Sequence, residues 1–199
     1  ILGATGYAGI EVVRLLTAHP EAEIVRVVSQ SFVGQKISDV YQNLKGICDL
    51  CCTALDIDDI AGSCDLVFTA LPHGASKTVI PSLYEKGLKI VDLSGDFRYN
   101  DPVVYEKWYG EPHSAPEVLK ESVYGLCEIH RDEIKTHRLI GNPGCYTTCS
   151  IMGLAPLAAA KIVDTKNLII DAKSGVTGAG RSASLPNIFC EGNESLKYV

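Results

Sequence analysis

Strand-forming and helix-forming stretches alternate along this 199-residue chain. Strands are predicted at residues 23–28, 65–71, 88–93 and 138–140, where apolar residues run almost without interruption. Helices are predicted to follow, one with Ala8, Val12, Leu15 and Leu16 on a single face, another over residues 75–86 with Gly87 as its C-cap, and a third over residues 146–160. Such alternation builds βαβ units. We therefore predict an α/β fold with a doubly wound parallel sheet of the Rossmann type.

A change of pattern near Ser150, followed by a further predicted strand at residues 167–172, indicates a second domain. We predict a first domain over residues 1–148 and the start of a second α/β domain over residues 149–199. Only Ile1 and Leu2 precede the first glycine, and no closing element precedes Val199. We therefore expect these residues to be part of a longer chain.

The composition argues against several classes of partner. A net charge of −6 disfavours binding to a nucleic-acid backbone, and no apolar run approaches the ~20 residues of a membrane span. The eight cysteines are irregularly spaced, which is typical of reduced thiols in a cytoplasmic protein. We expect a cytoplasmic protein that binds neither nucleic acid nor membrane.

Gly3, Gly6 and Gly9 stand between the end of a strand and the start of a helix. Glycines at such a turn let backbone N–H groups approach a pyrophosphate at the helix N-terminus. The spacing differs from the common G-x-G-x-x-G pattern, so a turn without a ligand is the alternative.

The residues after the second predicted strand suggest which dinucleotide binds. A carboxylate that bonds the adenosine ribose is usual about 20 residues beyond the glycine turn. Here that place holds Ser29, Gln30 and Ser31, and the next acidic residue is Asp39. Because no carboxylate would repel a 2′-phosphate, and Ser29 and Ser31 can donate to it, we predict NADP(H).

A second motif places one cysteine at a helix start. Asn142, Pro143 and Gly144 form a turn directly before Cys145. The N–H groups and dipole of a helix N-terminus stabilise a thiolate, and a thiolate can attack an acyl group. The alternative is a small buried side chain. We expect Cys149 to face the core. A small buried side chain is also the preferred interpretation for Cys48, Cys51, Cys52, Cys64, Cys127 and Cys190. No metal site is predicted.

Six motifs together resemble the N-acetyl-γ-glutamyl-phosphate reductases, a family of the aspartate-semialdehyde dehydrogenase superfamily. They occur in order along the chain at residues 3–9, 71–74, 92–98, 124–126, 142–146 and 173–180. The resemblance implies NADPH-dependent reduction of N-acetyl-γ-glutamyl phosphate to the 5-semialdehyde in arginine biosynthesis, with Cys145 forming a thioester. It also implies a homo-oligomer for the full-length protein.

The resemblance assigns further residues. Arg98 matches an arginine that binds the substrate phosphate, although a surface arginine paired with Asp96 or Asp101 is an equal alternative. Asn142 matches an asparagine that positions the substrate. The predicted cofactor-binding set is Gly3, Thr5, Gly6, Tyr7, Gly9, Ser29, Ser31, Pro72, His73, Ser174, Gly175, Gly178, Ala179 and Gly180. For residues 174–180, an ordinary flexible loop is the alternative.

The histidines and two departures from the family pattern complete the prediction. His73 is expected to frame the cofactor, whereas His19, His113, His130 and His137 are expected to be solvated or in turns. Thr147 stands where the family usually has proline, and the family's acid–base histidine falls beyond residue 199. We therefore expect these residues alone to bind NADP(H) but to turn over poorly.

Three rival functions remain. The same chemistry would serve an aspartyl-phosphate or an aminoadipyl-phosphate-type reductase with a different substrate pocket. A non-catalytic NADP-binding sensor module would retain the fold without the reaction. A binding-only scaffold is the third, but it leaves the Asn-Pro-Gly-Cys turn without a purpose.

Overall fold

The structure, a computed structural model, describes residues 1–182 and residue 188. The chain divides into two compact units, Ile1–Pro143 and Gly144–Val199. The predicted boundary between residues 148 and 149 falls inside a helix of the second unit and stays a prediction.

Seven helices and six strands lie in the first unit. The helices are α1 Tyr7–Leu16, α2 Ile37–Val40, α3 Ile57–Ser63, α4 Ser76–Glu85, α5 Pro102–Tyr109, α6 Pro116–Lys120 and α7 Cys127–Thr136, with a 3-10 turn at Gln42–Leu44. The strands are β1 Val27–Val28, β2 Cys52–Thr53, β3 Leu66–Thr69, β4 Lys89–Asp92, β5 Ser122–Tyr124 and β6 Leu139–Gly141.

All named strands pair in parallel, in the orders β1-β2 and β3-β4-β6-β5. Leu2 joins the two groups because it bridges in parallel to Val28 on one side and to Thr69 on the other. After Leu2 the chain therefore builds β1 and β2 on one side of this residue, and it then crosses to the other side to build β3. Ligands of such sheets bind where the strand order reverses, at the carboxyl ends of the strands.

The sheet is buried on both faces. Val27 packs in one apolar cluster with Ile10 and Val13 of α1, whereas the next residue, Val28, packs in another with Ile80 of α4. Successive strand side chains point to opposite faces, so both faces are covered by helices. The predicted doubly wound α/β architecture is confirmed.

Several predicted elements differ from the observed ones. The strand predicted at residues 23–28 pairs only at Val27 and Val28. On α1, Ala8 and Leu15 are exposed, and the buried residues are Gly9, Ile10, Val12 and Val13. The face of α1 that contains Gly9 is the buried one, because a residue without a side chain can lie directly against the preceding turn. The predicted end of α4 is confirmed, since Gly87 has a φ of +87° just beyond the helix.

The second unit contains α8, Cys145–Ala159, and a 3-10 turn at Val176–Ala179. The strand predicted at residues 167–172 is wrong. Those residues have no regular secondary structure, and Ile169 is 98% exposed. A strand requires a neighbour to accept its hydrogen bonds, and none pairs with this segment in the described part of the chain.

Within residues 1–182 and 188, the helices are too short or too polar for any of them to span a membrane.

Candidate active site

The turn between Leu2 and α1 requires glycine at two positions. Gly3 has a φ of +74°, and a Cβ there would collide with the carbonyl oxygen of Ala70. A Cβ on Gly9 would collide with the carbonyl oxygen of Gly3. The N–H of Gly6 donates to that same Gly3 oxygen over 3.0 Å. Helix α1 therefore begins directly against the turn, as a dinucleotide-binding turn requires.

The N-terminus of α1 has the properties of an anion site. Gly6 is the N-cap and offers no side-chain acceptor, and the first turn of the helix contains no acidic residue. Tyr7 and Ala8 are exposed. The first N–H groups of a helix have no acceptor within the helix and carry the positive end of its dipole. These residues fit the pyrophosphate of a dinucleotide.

Ser29 and Ser31 differ in exposure. Ser29 directly follows β1 and is buried, and its hydroxyl lies 2.7 Å from the Thr5 hydroxyl. The Tyr41 hydroxyl donates to the Thr5 carbonyl oxygen over 2.9 Å. Ser31 is exposed. Ser29 thus ties the glycine turn to the end of β1, and Ser31 is the more accessible of the two; their role toward a 2′-phosphate stays a prediction.

His73, in the loop between β3 and α4, pairs with the carboxylate of Asp96 in the segment that follows β4. Nδ1 of His73 lies 2.7 Å from Oδ1 of Asp96; the Asp96 side chain is fully buried and 43% of the His73 side chain is exposed. Asp96 also accepts hydrogen bonds from the backbone N–H groups of Gly74 and Lys77 at the start of α4. The carboxylate therefore orients the imidazole ring, while Pro72 beside it is exposed.

Asp92 organises the carboxyl ends of three strands. Its buried carboxylate accepts hydrogen bonds from the hydroxyls of Thr69 (2.6 Å), Ser76 (2.8 Å) and Ser94 (2.6 Å). Its carbonyl oxygen accepts from the N–H of Asn142 over 2.7 Å. Three hydroxyl donors to one buried carboxylate, together with the backbone bond from Asn142, make the ends of β3, β4 and β6 a rigid edge.

Arg98 is half-buried and lies at this edge. Its Nε donates to the carbonyl oxygen of Asn142 over 2.9 Å and its Nη2 to that of Leu93 over 3.2 Å. The alternative pairing with Asp96 or Asp101 is not observed in the described residues, where Asp96 bonds His73 and Asp101 caps α5. Asn142 is half-buried, and its side-chain amide donates to the carbonyl oxygen of Pro143.

Cys145 is the first residue of the 15-residue helix α8, with Gly144 as N-cap. Its side chain is exposed. Thr147, where the family pattern has proline, donates from its hydroxyl to the Gly144 carbonyl oxygen over 2.9 Å. The predicted position of Cys145 at a helix start is confirmed, and its role as a nucleophile stays a prediction.

The predicted cofactor loop in the second unit has a defined backbone. Val176–Ala179 forms a 3-10 turn, and Gly180 has a φ of +86°. A Cβ on Gly178 would collide with the hydroxyl of Ser174, which donates to the Gly175 carbonyl oxygen. Gly180 is thus the position in this loop whose backbone requires glycine, and binding of a nicotinamide there stays a prediction.

Comparison with known families places the chain. The model of the semialdehyde dehydrogenase NAD-binding domain matches residues 1–137, and that of the semialdehyde dehydrogenase dimerisation domain matches residues 145–198. The chain belongs to the semialdehyde dehydrogenase family. The resemblance seen in the motifs is therefore confirmed.

Curated relatives of this semialdehyde dehydrogenase family member share one name. Proteins named N-acetyl-gamma-glutamyl-phosphate reductase from Acetivibrio thermocellus, Syntrophobacter fumaroxidans and Desulforudis audaxviator are 60%, 53% and 50% identical to it over 197 residues. Each match covers 99% of this chain and 57% of the relative. The chain thus spans little more than half the length of these relatives.

Two solved structures share the fold of this semialdehyde dehydrogenase family member. Aspartate semialdehyde dehydrogenase with NADP from Candida albicans superposes with a TM-score of 0.59 at 20% identity, covering 80% of this chain and 46% of the other. Aspartate semialdehyde dehydrogenase II from Vibrio cholerae has the same TM-score at 16% identity, covering 90% of this chain and 47% of the other. At these identities the likeness supports the fold alone.

Sequence reasoning missed several residues that shape the site of this semialdehyde dehydrogenase family member. Asp92 and Asp96 lie in the motif at residues 92–98, but the sequence predicted no role for them in holding the site together, and none for Tyr109, which stacks on His73. The available signal was the position of Asp92 at the end of β4 and of Asp96 four residues beyond it, because buried carboxylates at such an edge can accept bonds from backbone and hydroxyl donors.

Some predicted environments are wrong. His113 is buried rather than solvated, and it packs edge-on against Phe97 and Tyr105. Cys149 is exposed rather than facing the core, because no residue of α8 is buried. Cys48 and Cys52 are buried as predicted, whereas Cys51 and Cys127 are exposed and Cys64 is half-buried. Cys190 lies outside the described residues.

Proposed function

We propose that this protein reduces N-acetyl-γ-glutamyl phosphate to N-acetylglutamate 5-semialdehyde, with NADPH as reductant and release of phosphate. The observation that carries the proposal is the exposed Cys145 at the first position of α8, in a chain of the semialdehyde dehydrogenase family. The substrate is inferred from the shared name of relatives that are 50–60% identical.

Cys145 performs the covalent step. Cys145 is the first residue of α8, and as a thiolate it attacks the γ-carbonyl carbon of the acyl phosphate. The carbon–oxygen bond to phosphate breaks, phosphate leaves with the bonding pair, and a thioester on Cys145 remains. NADPH held at the N-terminus of α1 would supply the hydride for reduction of this thioester. The carbon–sulfur bond then breaks, which releases the semialdehyde and regenerates the thiolate.

The first unit would provide most of the cofactor-binding residues, and residues 174–180 of the second unit would provide the others. The N-terminus of α1 would hold the pyrophosphate, because Gly3 and Gly9 let the helix begin directly against the turn, where a side chain would collide with the backbone. The lack of an acidic residue at positions 29–31 supports NADPH rather than NADH. His73 is held by Asp96 through Nδ1, so its other ring nitrogen, Nε2, would be available at the carboxyl edge of the sheet.

Arg98 and Asn142 would bind the substrate. A guanidinium carries five N–H donors, of which the observed bonds to Asn142 and Leu93 engage Nε and Nη2. The remaining donors suit a phosphate, and the two carbonyl contacts hold the group in one orientation. Asn142 would then orient the substrate beside it.

The decisive experiment uses the full-length protein in the oxidative direction. Purified protein is given N-acetylglutamate 5-semialdehyde, inorganic phosphate and NADP⁺, and NADPH is followed by absorbance; aspartate semialdehyde is assayed in parallel. We expect phosphate-dependent NADPH formation with the first aldehyde and at most weak formation with the second. C145S should abolish it, and the matched variant C149S should retain it. Preference for aspartate semialdehyde, or activity in C145S, would contradict the proposal.

We also propose a homo-oligomer in the cytoplasm. The match of residues 145–198 to a dimerisation domain supports self-association, as do exposed apolar side chains of the second unit such as Ile162, Ile169 and Ile170. Light scattering of the full-length protein should give at least twice the mass of one chain. Fractionation should recover the protein with cytoplasmic markers.

A further inference from the structure

Thr5, in the glycine turn, is hydrogen-bonded to two residues that lie far from it in the chain. Its hydroxyl lies 2.7 Å from the hydroxyl of Ser29, which directly follows β1. Its carbonyl oxygen accepts a hydrogen bond from the Tyr41 hydroxyl over 2.9 Å. Thr5 and Ser29 are buried, and Tyr41 is half-buried. The turn is therefore attached to the segment after β1 through both a side chain and a backbone group.

The bond from Tyr41 fixes the orientation of one peptide group in the turn. The carbonyl group of Thr5 and the N–H group of Gly6 belong to the same planar trans peptide unit and point in opposite directions. Tyr41 binds the carbonyl oxygen, and the Gly6 N–H donates to the Gly3 carbonyl oxygen over 3.0 Å. Because both sides of this peptide are held, the N–H groups that follow it at the start of α1 keep one direction.

The two partners of Thr5 also enclose the segment that contains Ser31. Ser29 precedes residues 30–40 and Tyr41 follows them, so both ends of this segment are attached to the same residue of the glycine turn. The exposed Ser31 lies two residues from the first attachment. The distance between Ser31 and the turn is therefore set by these two bonds.

The middle of the same segment is attached to the start of β2. The Gly34 N–H donates to the Cys52 carbonyl oxygen, and the Cys52 N–H donates to the Gln35 carbonyl oxygen, each over 2.8 Å. The Gln35 N–H in turn donates to the Phe32 carbonyl oxygen over 3.1 Å. The segment is thus a folded loop with a defined backbone, and a shift at either attachment to Thr5 would move it relative to the turn.

We propose that Tyr41 is a positioning residue that joins the pyrophosphate-binding turn to the segment that distinguishes NADPH from NADH. The proposal rests on the proposed function, in which NADPH is the reductant, and on the prediction that Ser31 contacts its 2′-phosphate. Two binding surfaces that are fixed relative to each other need less ordering when a ligand spans both. NADH has no 2′-phosphate and gains less from this link. Tyr41 acts through Thr5 and does not touch the reacting atoms.

A role of Tyr41 in packing alone would change different quantities. Its ring packs against the apolar cluster that contains Val13, Val27 and Ile37. Tyr41→Phe keeps this ring and removes only the hydroxyl. If the hydroxyl served folding alone, its loss would lower the melting temperature and leave the ratio of the affinities for NADPH and NADH as it is. Loss of the link to the turn lowers that ratio.

Fluorescence titration of the full-length protein with NADPH and with NADH provides the test. For Y41F we expect the Kd for NADPH to rise roughly 5- to 10-fold, as for loss of one hydrogen bond, and the Kd for NADH to rise no more than about 2-fold. T5V, which removes the bond to Ser29 and keeps the Thr5 carbonyl group, should lower the affinity ratio in the same direction. The matched control is Y84F, because the Tyr84 ring contacts Arg138, with 4.1 Å between guanidinium and ring centroid; it should leave both Kd values unchanged.

The outcomes separate this proposal from the proposed function. If wild-type protein shows no phosphate-dependent oxidation of N-acetylglutamate 5-semialdehyde with NADP⁺, the proposed function is wrong. If the wild type is active and prefers NADPH, but Y41F keeps the wild-type ratio of affinities, the role of Tyr41 is wrong while the function stands. An equal fall of the ratio in Y41F and Y84F would also overturn the proposal, since the effect would then not depend on the bond to Thr5.

Discussion

Nε of Arg98 donates a hydrogen bond to the carbonyl oxygen of Asn142 over 2.9 Å and so joins the loops that follow β4 and β6. The two residues lie 44 positions apart in the chain. One side chain thus fixes the backbone that leads toward Cys145.

Replacing Arg98 with lysine should weaken both its structural and its binding role. A single ammonium cannot reproduce the planar donors that reach Asn142 and Leu93. We expect the free energy of unfolding to fall by about 1 to 2 kcal/mol and kcat/KM for phosphate to fall about 10- to 100-fold. Urea unfolding and steady-state kinetics measure the two effects. The exposed Arg131 provides the control R131K, and equal effects of both substitutions would contradict the assignment.

Gly9→Ala should disrupt the glycine turn. A methyl group there collides with the Gly3 carbonyl oxygen, so the helix must shift away from the turn. We expect a loss of about 1 to 3 kcal/mol in the free energy of unfolding and loss of NADP(H) binding by calorimetry. Gly62, inside α3, is the matched control because a Cβ there meets nothing within 4 Å. G62A should stabilise the protein by about 0.5 to 1 kcal/mol. Tight binding of NADP(H) by G9A would contradict the assignment of the glycine turn to the cofactor.

Ser31→Glu should change the cofactor preference. A carboxylate at this exposed position would repel a 2′-phosphate and could accept a hydrogen bond from a 2′-hydroxyl. We expect the ratio of affinities for NADPH and NADH to fall about 10-fold or more, equivalent to about 1.4 kcal/mol. Fluorescence titration with both cofactors measures it, with S31A as the neutral control. If S31E and S31A gave the same ratio, the 2′-phosphate would bind elsewhere.

His113 should make stability depend on pH. Burial lowers the pKa of His113 below its ordinary 6.5, against an opposing effect of the Ala115 backbone and of Asp96. The folded state therefore disfavours the charged ring, and the unfolded state binds the proton more readily. The contribution of the uncharged His113 ring to the free energy of unfolding is fully present above about pH 6.5. It is lost as the pH falls toward the folded-state pKa.

Urea midpoints measured from pH 7 down to about pH 5 give the test. Wild-type protein should lose stability over this range, and H113F, which cannot be charged, should lose less. His19, which is exposed, supplies the control H19Q, whose pH profile should match that of the wild type. A steeper profile for H113F than for the wild type would contradict the assigned sign.

Local patterns were sufficient for the features that depend on neighbouring residues. The alternation of apolar strands and amphipathic helices predicted the parallel sheet, because those periodicities decide which faces can be buried. The Asn-Pro-Gly turn predicted that α8 begins at Cys145, since proline and glycine restrict the backbone locally. The glycines at positions 3 and 9 likewise marked the place where turn and helix meet.

Contacts between distant residues were beyond the reach of those patterns. The burial of His113, the pairing of His73 with Asp96 and the choice of carbonyl partners by Arg98 depend on which surfaces meet after folding. The same holds for residues 167–172. Their β-forming side chains predicted a strand, but no other strand pairs with them in the described residues.

The amino-acid sequence by itself thus determined the fold class, the family and the position of the cysteine at a helix start. Only the tertiary structure decided that Asp92 collects hydroxyl donors at the carboxyl ends of the strands, and that Asp96 and Tyr109 hold the ring of His73 there. The reason is that propensity and turn chemistry act over a few residues, whereas hydrogen bonds to a buried carboxylate are chosen by the packing of the whole unit.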